Sequence, residues 1–165
     1  MKIETPLGIA WAATENGALT GFGFGEDAHN SPNDQTVARQ IAEYFQGVRQ
    51  AFDLLLAPRG SAFQKRVWSE LIRIPFGETI SYAELARRVG RPGAFRAVGR
   101  ANATNPIALI IPCHRVIGSG GELTGYAFGV ELKRKLIDWE RSIARSSSRP
   151  FAPTREQGLS LAAGQ

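Results

Sequence analysis

The residues best equipped for chemistry stand together in the string Ile110-Ile111-Pro112-Cys113-His114-Arg115-Val116-Ile117. Cys113 is the only cysteine of the chain, and His114 is one of two histidines. A lone thiol forms no internal disulfide, and it cannot supply the several Cys or His ligands of a structural zinc site. Two readings remain for it, a buried small hydrophobe or a nucleophile. Its flanks favour the second. Pro112 interrupts the apolar run of residues 107–111, which predicts a thiol at the mouth of a core strand rather than inside it. His114 and Arg115 add polarity and positive charge, surroundings that lower a thiol's pKa and raise its thiolate fraction. A thiolate attacks a saturated carbon well and a thiol poorly, so the site needs a base. His114 is the nearest candidate, but adjacent side chains on an extended segment point to opposite faces, so a direct bond to Cys113 is not expected.

With 165 residues the chain suits one ordinary domain or two small ones sharing an interface. It has no apolar run of membrane-spanning length, and its amino terminus lacks a basic region followed by an apolar segment. Neither a membrane partner nor export is therefore expected, and a free thiol suits the cytoplasm. The formal charge of +5 is unevenly spread. Residues 1–58 hold three basic against seven acidic side chains, residues 59–100 nine against three, and residues 101–165 eight against five. A basic second part suggests a polyanionic partner, most plausibly nucleic acid.

The elements that must position the thiol follow from periodicity. Residues 3–24 read as short strands around an Asn16-Gly17 hairpin turn, and His29 falls in a polar loop with nothing nearby to make it a ligand or base. Val37, Ile41, Tyr44 and Phe45 have helical spacing, Gly47 is a plausible stop, and residues 52–56 read as a further strand. Nothing in residues 1–58 carries recognisable chemistry, which makes them a scaffold ending near Pro58-Arg59-Gly60.

Residues 63–74 predict a helix with Phe63, Val67, Leu71 and Ile74 in a core stripe and Trp68 beside it. Ser81 is a good N-cap for residues 82–89, with Glu84 placed to complete a capping box. The turn Gly90-Arg91-Pro92-Gly93 leads to a second short helix over residues 94–103, a helix-turn-helix pattern with the second helix as recognition element. Arg87, Arg88, Arg91, Arg96 and Arg100 surround that turn and favour phosphate contact. Ala94, Ala97, Gly99, Ala101 and Ala103 are small, so this helix should dock by shape rather than by reaching base edges. Residues 130–144 predict a closing helix with Leu132, Leu136 and Trp139 as its buried stripe, and residues 145–165 predict a disordered tail. The expected fold class is α+β. A small antiparallel β-sheet with a helix forms domain 1–58, and an α-rich, winged-helix-like domain with a helix-turn-helix forms 59–144.

Taken with Arg96-Ala97-Val98-Gly99, Asn105-Pro106 and Gly125-Tyr126, the string around Cys113 resembles the active-site region of the O6-alkylguanine-DNA alkyltransferases. These repair proteins move an alkyl group from guanine onto their own cysteine. The resemblance spans residues 63–140. Related alkyltransferase-like proteins carry tryptophan in place of the cysteine and cannot accept the group; Cys113 keeps that chemistry available here.

The resemblance implies a set of roles. Cys113 is the nucleophile, His114 its base through a bridging water, and Glu140 the group that orients the imidazole. Tyr82 hydrogen-bonds ring nitrogen N3 of the guanine, Tyr126 walls the pocket, and Asn105 ties the recognition helix to the active-site loop. Main-chain groups near Cys113 and Val116 read the guanine edge, and Ala127 lies among the substrate-contacting positions. The helix carrying Ala94, Ala97 and Arg100, with Arg91 before it, enters the minor groove, where Arg96 fills the space of the extruded base. Phe128 stands where many members have a small or hydroxyl residue and would narrow the pocket, and Ala108 replaces a proline found in some.

The reading that results is a monomeric, single-turnover DNA alkyltransferase without metal or cofactor. Its partner is double-stranded DNA carrying O6-alkylguanine, with O4-alkylthymine as a second substrate. Two other classes use the same residues. A non-catalytic module recognising alkylated bases would leave Cys113 inert, and a cysteine-dependent hydrolase would turn over repeatedly.

Overall fold

Asn16 and Gly17 both take positive φ, 52° and 79°, which a two-residue hairpin turn requires, and this turn sets the register of the first sheet. In the computed structural model, which describes residues 1–26 and 31–147, β1 (Lys2–Thr5), β2 (Gly8–Glu15) and β3 (Ala18–Phe24) form an antiparallel sheet in the order β1-β2-β3. Ile3 faces Ala10 across the first pair and Ala12 faces Phe22 across the second, and all four are buried. The readings of His29 and of the tail beyond residue 147 fall outside the described residues.

Helix α1 (Gln35–Phe45) starts where the Asp34 carboxylate accepts the main-chain N–H groups of Thr36 and Val37, and it ends before Gly47 at φ 76°. Val37, Ile41 and Tyr44 form its buried face, with Tyr44 stacked on Phe52 at 5.6 Å between centroids. These elements belong to a compact unit of Met1–Arg59 that also takes in Pro106–Ile110.

Two expected strands are absent from this unit. Residues 52–56 alternate as a strand should, with Phe52, Leu54 and Leu56 buried, yet only Leu56 pairs, by a single bridge to Leu19. The backbone of Asp53 is satisfied instead by the Gln40 side chain, whose Nε2 donates to its carbonyl at 3.0 Å and whose Oε1 accepts its N–H at 2.8 Å. Residues 107–111 likewise contribute one bridge, Ile107 to Phe22, before the chain turns through Leu109 at φ 71°. A left-handed leucine ends any ladder there.

The second unit comprises Gly60–Asn105 and the chain from Ile111 onward. Ser61 and Gln64 form a reciprocal capping box that starts α2 (Ala62–Ile72). Val67, Trp68 and Leu71 are buried on α2, and the Trp68 indole donates to the carbonyl of Ala101 at 2.8 Å. Phe63 is only half-buried, carrying the Arg91 guanidinium 5.1 Å above its ring, so it is not a core residue.

Strand β4 (Ile80–Ser81) runs directly into α3 (Tyr82–Arg88), with Ser81 accepting the N–H of Glu84 at 3.1 Å. The Glu84 carboxylate pairs with Arg87 and Arg88 rather than completing a capping box. A turn with Gly90 and Gly93 at positive φ joins α3 to α4 (Phe95–Ala103), and the two helices pack as a helix-turn-helix. A 3₁₀ turn, Cys113–Arg115, leads into β5 (Val116–Ile117), which pairs in parallel with β4. Helix α5 (Val130–Ser146) closes the unit. Among the described residues no helix is long and apolar enough to cross a membrane.

Gln40 gives this fold a direct test. Gln40→Leu fills the same space but leaves the Asp53 N–H and carbonyl without their partner, so urea titration should show about 1–3 kcal/mol of lost stability. An unchanged midpoint would mean that the bonds contribute nothing.

Candidate active site

Residues 113–115 are not extended. In a 3₁₀ turn successive side chains fan out at a third of a revolution rather than alternating between two faces. His114 and Arg115 can therefore both reach Glu140 of α5, and all three residues of the turn are buried. The peptide of Cys113 is fixed by its N–H to the Ile111 carbonyl at 2.8 Å, and that of Arg115 by its N–H to Pro112 at 3.0 Å.

His114 and Arg115 converge on Glu140 of α5, which is 1 % exposed. His114 Nε2 lies 2.7 Å from Oε1. Arg115 donates from Nε to Oε2 at 2.8 Å and from Nη2 to Oε1 at 2.9 Å, and its Nη1 donates to the Ile74 carbonyl at 2.7 Å. The Gly77 N–H reaches Oε2 at 3.4 Å. Burial alone would push the Glu140 carboxyl upward, but the guanidinium and the imidazole outweigh it and hold the group well below the usual carboxylate range. An ionised Glu140 only accepts, so in the neutral imidazole the ring proton sits on Nε2 and the lone pair on Nδ1. Nδ1 is buried with no partner among the described residues. Burial lowers the His114 pKa, Glu140 opposes this, and Arg115 and Lys133 add to the lowering.

Cys113 is 5 % exposed and makes no direct bond to the imidazole. Contrary to the reading of its flanks, burial pushes the thiol up. Arg115 is engaged by Glu140 and does not offset this. The groups that do are the Asn105 side chain, the Lys133 ammonium and local main-chain N–H groups. Asn105 is itself anchored, donating from Nδ2 to the Ile111 carbonyl at 2.7 Å.

Lys133, 0 % exposed, donates to the Thr124 carbonyl at 2.9 Å and lies 5.8 Å from the centre of the Tyr82 ring. Desolvation lowers its pKa and the nearby thiolate raises it. Tyr82 is raised by its own burial and by Cys113, opposed by Asn102 and Thr124, and its hydroxyl donates to the Thr124 carbonyl at 3.3 Å. Tyr126 is raised well above the ordinary phenol value, chiefly by burial. Its hydroxyl has no partner among the described residues, and Phe128 packs edge-on against its ring at 5.6 Å.

Of the predicted residues, Cys113, His114, Glu140, Tyr82, Asn105, Tyr126 and the buried Val116 thus gather around one turn, while Ala127 is exposed beside Tyr126. Sequence reasoning missed Lys133 and Asn102. Each departs from the apolar pattern of its helix, and only that departure could have singled it out.

The outer face of α4 presents Phe95, 52 % exposed, with exposed Arg96 and Arg100. Neither arginine has an ion-pair partner among the described residues, and exposed Arg91 lies on Phe63. Phe95, Arg96 and Gly99 line an open cleft with Tyr82, Ala83 and Ser119, while Ala94 and Ala97 sit half-buried on the same helix. Among the described residues no cluster of three or more His, Cys, Asp or Glu side chains could hold a metal ion.

Residues 62–142 match the family model described as 6-O-methylguanine DNA methyltransferase, DNA binding domain. A methylated-DNA–protein-cysteine methyltransferase of Methanosarcina barkeri is 46 % identical over 153 residues, covering 87 % of this chain and 97 % of the relative. Its counterpart in Mycobacterium tuberculosis is 44 % identical over 151 residues, covering 86 % and 92 %. The crystal structure of M. tuberculosis OGT in complex with DNA superposes with a TM-score of 0.81 at 44 % identity, over 86 % of this chain and 92 % of that one. With the thiol, the imidazole and the buried glutamate in place, the chain belongs to the family of methylated-DNA–protein-cysteine methyltransferases.

Proposed function

We propose that this protein repairs DNA by moving the alkyl group of O6-alkylguanine irreversibly onto Cys113. The observation that carries this reading is one buried turn that offers a single thiol on one side and an imidazole held by an ionised glutamate on the other. Cys113 gives up its proton, relayed by a water to Nδ1 of His114, and Glu140 balances the imidazolium so formed. The sulfur then attacks the alkyl carbon, a carbon–sulfur bond forms, and the bond from carbon to guanine O6 breaks with its electron pair leaving on the base. Tyr82 offsets that charge by a hydrogen bond to N3, and the guanine regains a proton from solvent. A thioether has no route back, so each molecule reacts once, as a monomer and without a cofactor.

A guanine stacked in duplex is out of reach of a buried thiol, and must be swung out at a cost of a few kcal/mol. Helix α4 docks in the minor groove through its small residues, with Arg91 and Arg100 on phosphates, and Arg96 fills the vacated place in the stack. Asn105 holds the active-site loop to α4, Tyr126 and Ala127 border the pocket, and main-chain groups near Cys113 and Val116 read the guanine edge. O4-alkylthymine presents the same reactive carbon and is a second substrate. The thiol must stay reduced, which suits the cytoplasm.

Mass spectrometry after incubation with duplex DNA containing O6-methylguanine tests the reading. The Cys113 peptide should gain one methylene mass, stoichiometrically and finally. An unmodified peptide would favour a recognition module, and repeated turnover a hydrolase.

Lys133 links reactivity to stability. Lys133→Met removes the cation that stabilises the thiolate, so the rise of transfer rate with pH should move to higher pH, with roughly tenfold loss at neutral pH. The same change removes a desolvated charge and should leave thermal stability equal or higher. A variant that reacts at the original rate, or that unfolds, would contradict this.

Glu140→Gln should cost about 3–5 kcal/mol in denaturant titration, because the buried Arg115 loses its counter-charge. The carboxyl has a lower pKa folded than unfolded. Its contribution is therefore complete above the unfolded value and is lost as pH falls toward the folded one. The substitution should accordingly flatten the acid limb of stability against pH, and an unaltered limb would assign acid sensitivity elsewhere.

A further inference from the structure

Phe95 is the first residue of α4 and is 52 % exposed, the one exposed aromatic side chain among the described residues. Among those residues no ring or cation lies over it, whereas the half-buried Phe63 carries the Arg91 guanidinium. A Cα–Cβ bond in a helix tilts toward the N-terminus, so Phe95 leans past the end of α4 where Ala94 offers no side-chain cap. Gly99 stands one turn further along, on the same side of the helix. Glycine inside a helix is unfavourable, and packing within the chain does not require it here: a Cβ built at Gly99 would meet no atom within 4 Å. Such a glycine leaves room for something outside the chain to approach the backbone. Phe95, Arg96 and Gly99 line one cleft with Tyr82, and neither Arg96 nor Arg100 has an ion-pair partner among the described residues. The occupant that fits is a polyanion with flat apolar faces, which describes the phosphates and bases of DNA.

We infer that Phe95 is a base-stacking wedge that enters the minor groove beside Arg96 and packs its ring on a base flanking the one drawn out; the inference rests on the function proposed above. Extruding one base strips a stacking face from each of its neighbours, and Arg96 fills the vacated place. Phe95 and Arg96 leave the helix about 100° apart, so they do not share one gap. Their Cα atoms, as consecutive ones, lie about 3.8 Å apart, close to the roughly 3.4 Å between bases along a strand. Arg96 in the gap therefore leaves the ring at the adjoining step. There the ring covers a base face and loses its own contact with water, two gains made only when the duplex is engaged. An apolar side chain pushed against a step also loosens its stacking and bends the duplex toward the major groove, which lowers the remaining cost of drawing a base out. Phe95 thus adds to DNA binding without reading sequence, since every base has a π-face.

Affinity and rate together test this. Phe95→Ala suits an exposed helix position, so the variant should fold as the parent does. In a Cys113→Ser background, which blocks transfer, it should weaken binding to duplex DNA containing O6-methylguanine about tenfold, the effect of one lost base–aromatic stack. The slope of log affinity against log salt should stay the same, because no phosphate contact is lost. Phe95→Trp should restore the affinity. With Cys113 intact, Phe95→Ala should slow single-turnover transfer from subsaturating duplex about tenfold, and transfer from the free base O6-methylguanine less than about threefold. Unchanged affinity, a shallower salt slope, or equal slowing on duplex and free base would overturn the inference. Wild-type protein that binds this DNA, loses affinity on Phe95→Ala and yet gains no alkyl group would sink the proposed function and keep the wedge.

Discussion

A carboxylate almost sealed from water, Glu140, is the point around which the turn Cys113–Arg115 folds. An isolated buried charge is too costly to keep, so the chain must bring donors to both of its oxygens. It does so with two neighbouring residues, His114 and Arg115, helped by the Gly77 N–H. Consecutive side chains of an extended strand cannot reach one acceptor from the same side. The 3₁₀ turn can. The ion cluster thus fixes the tautomer of the imidazole beside the thiol.

That arrangement explains why reactivity here does not follow from local charge. Arg115 stands two positions from the thiol, yet its guanidinium belongs to Glu140. The cation that lowers the Cys113 pKa is Lys133, a buried lysine with no carboxylate partner among the described residues. A dry thiol resists ionisation, and a dry amine resists protonation. Placed near one another, each offsets part of the other's cost, which is a reason for burying both.

Much of this was legible in the sequence, and the misses share a cause. The hairpin at Asn16-Gly17, helix α1 and the helix-turn-helix follow from turn chemistry and apolar spacing, which are local. So does the gathering of Cys113 and His114, which are adjacent. Helix α5 was foreseen, but with only part of its buried stripe. Its apolar pattern picks Leu132, Leu136 and Trp139, whereas the buried residues are Lys133, Leu136, Ile137 and Glu140. Half of that face is charged, and a hydrophobic pattern cannot pick out Lys133 or Glu140. The strands expected at residues 52–56 and 107–111 failed because strand-like alternation records burial, not pairing. Gln40 takes the bonds of Asp53 in one case, and Leu109 at positive φ turns the chain in the other. The thiol's pKa was misjudged for a related reason, since proximity in sequence was taken for proximity of charge.

Helix α4 shows how a short element can serve two surfaces. Its nine residues span only about 13 Å at the α-helical rise. Phe95, Arg96 and Arg100 occupy the exposed side, and Val98, Ala101 and Asn102 the buried one. Ala94 offers no side-chain cap, and the start of the helix is tied by the Ala94 N–H to the Arg91 carbonyl at 3.0 Å. Its end is secured more firmly. The Ala101 carbonyl receives the Trp68 indole, and Thr104 Oγ1 bonds the Arg100 carbonyl at 2.9 Å. The outer side of α4 thus stays open while, on its inner side, the Asn102 amide donates to the Cys113 carbonyl at 3.4 Å.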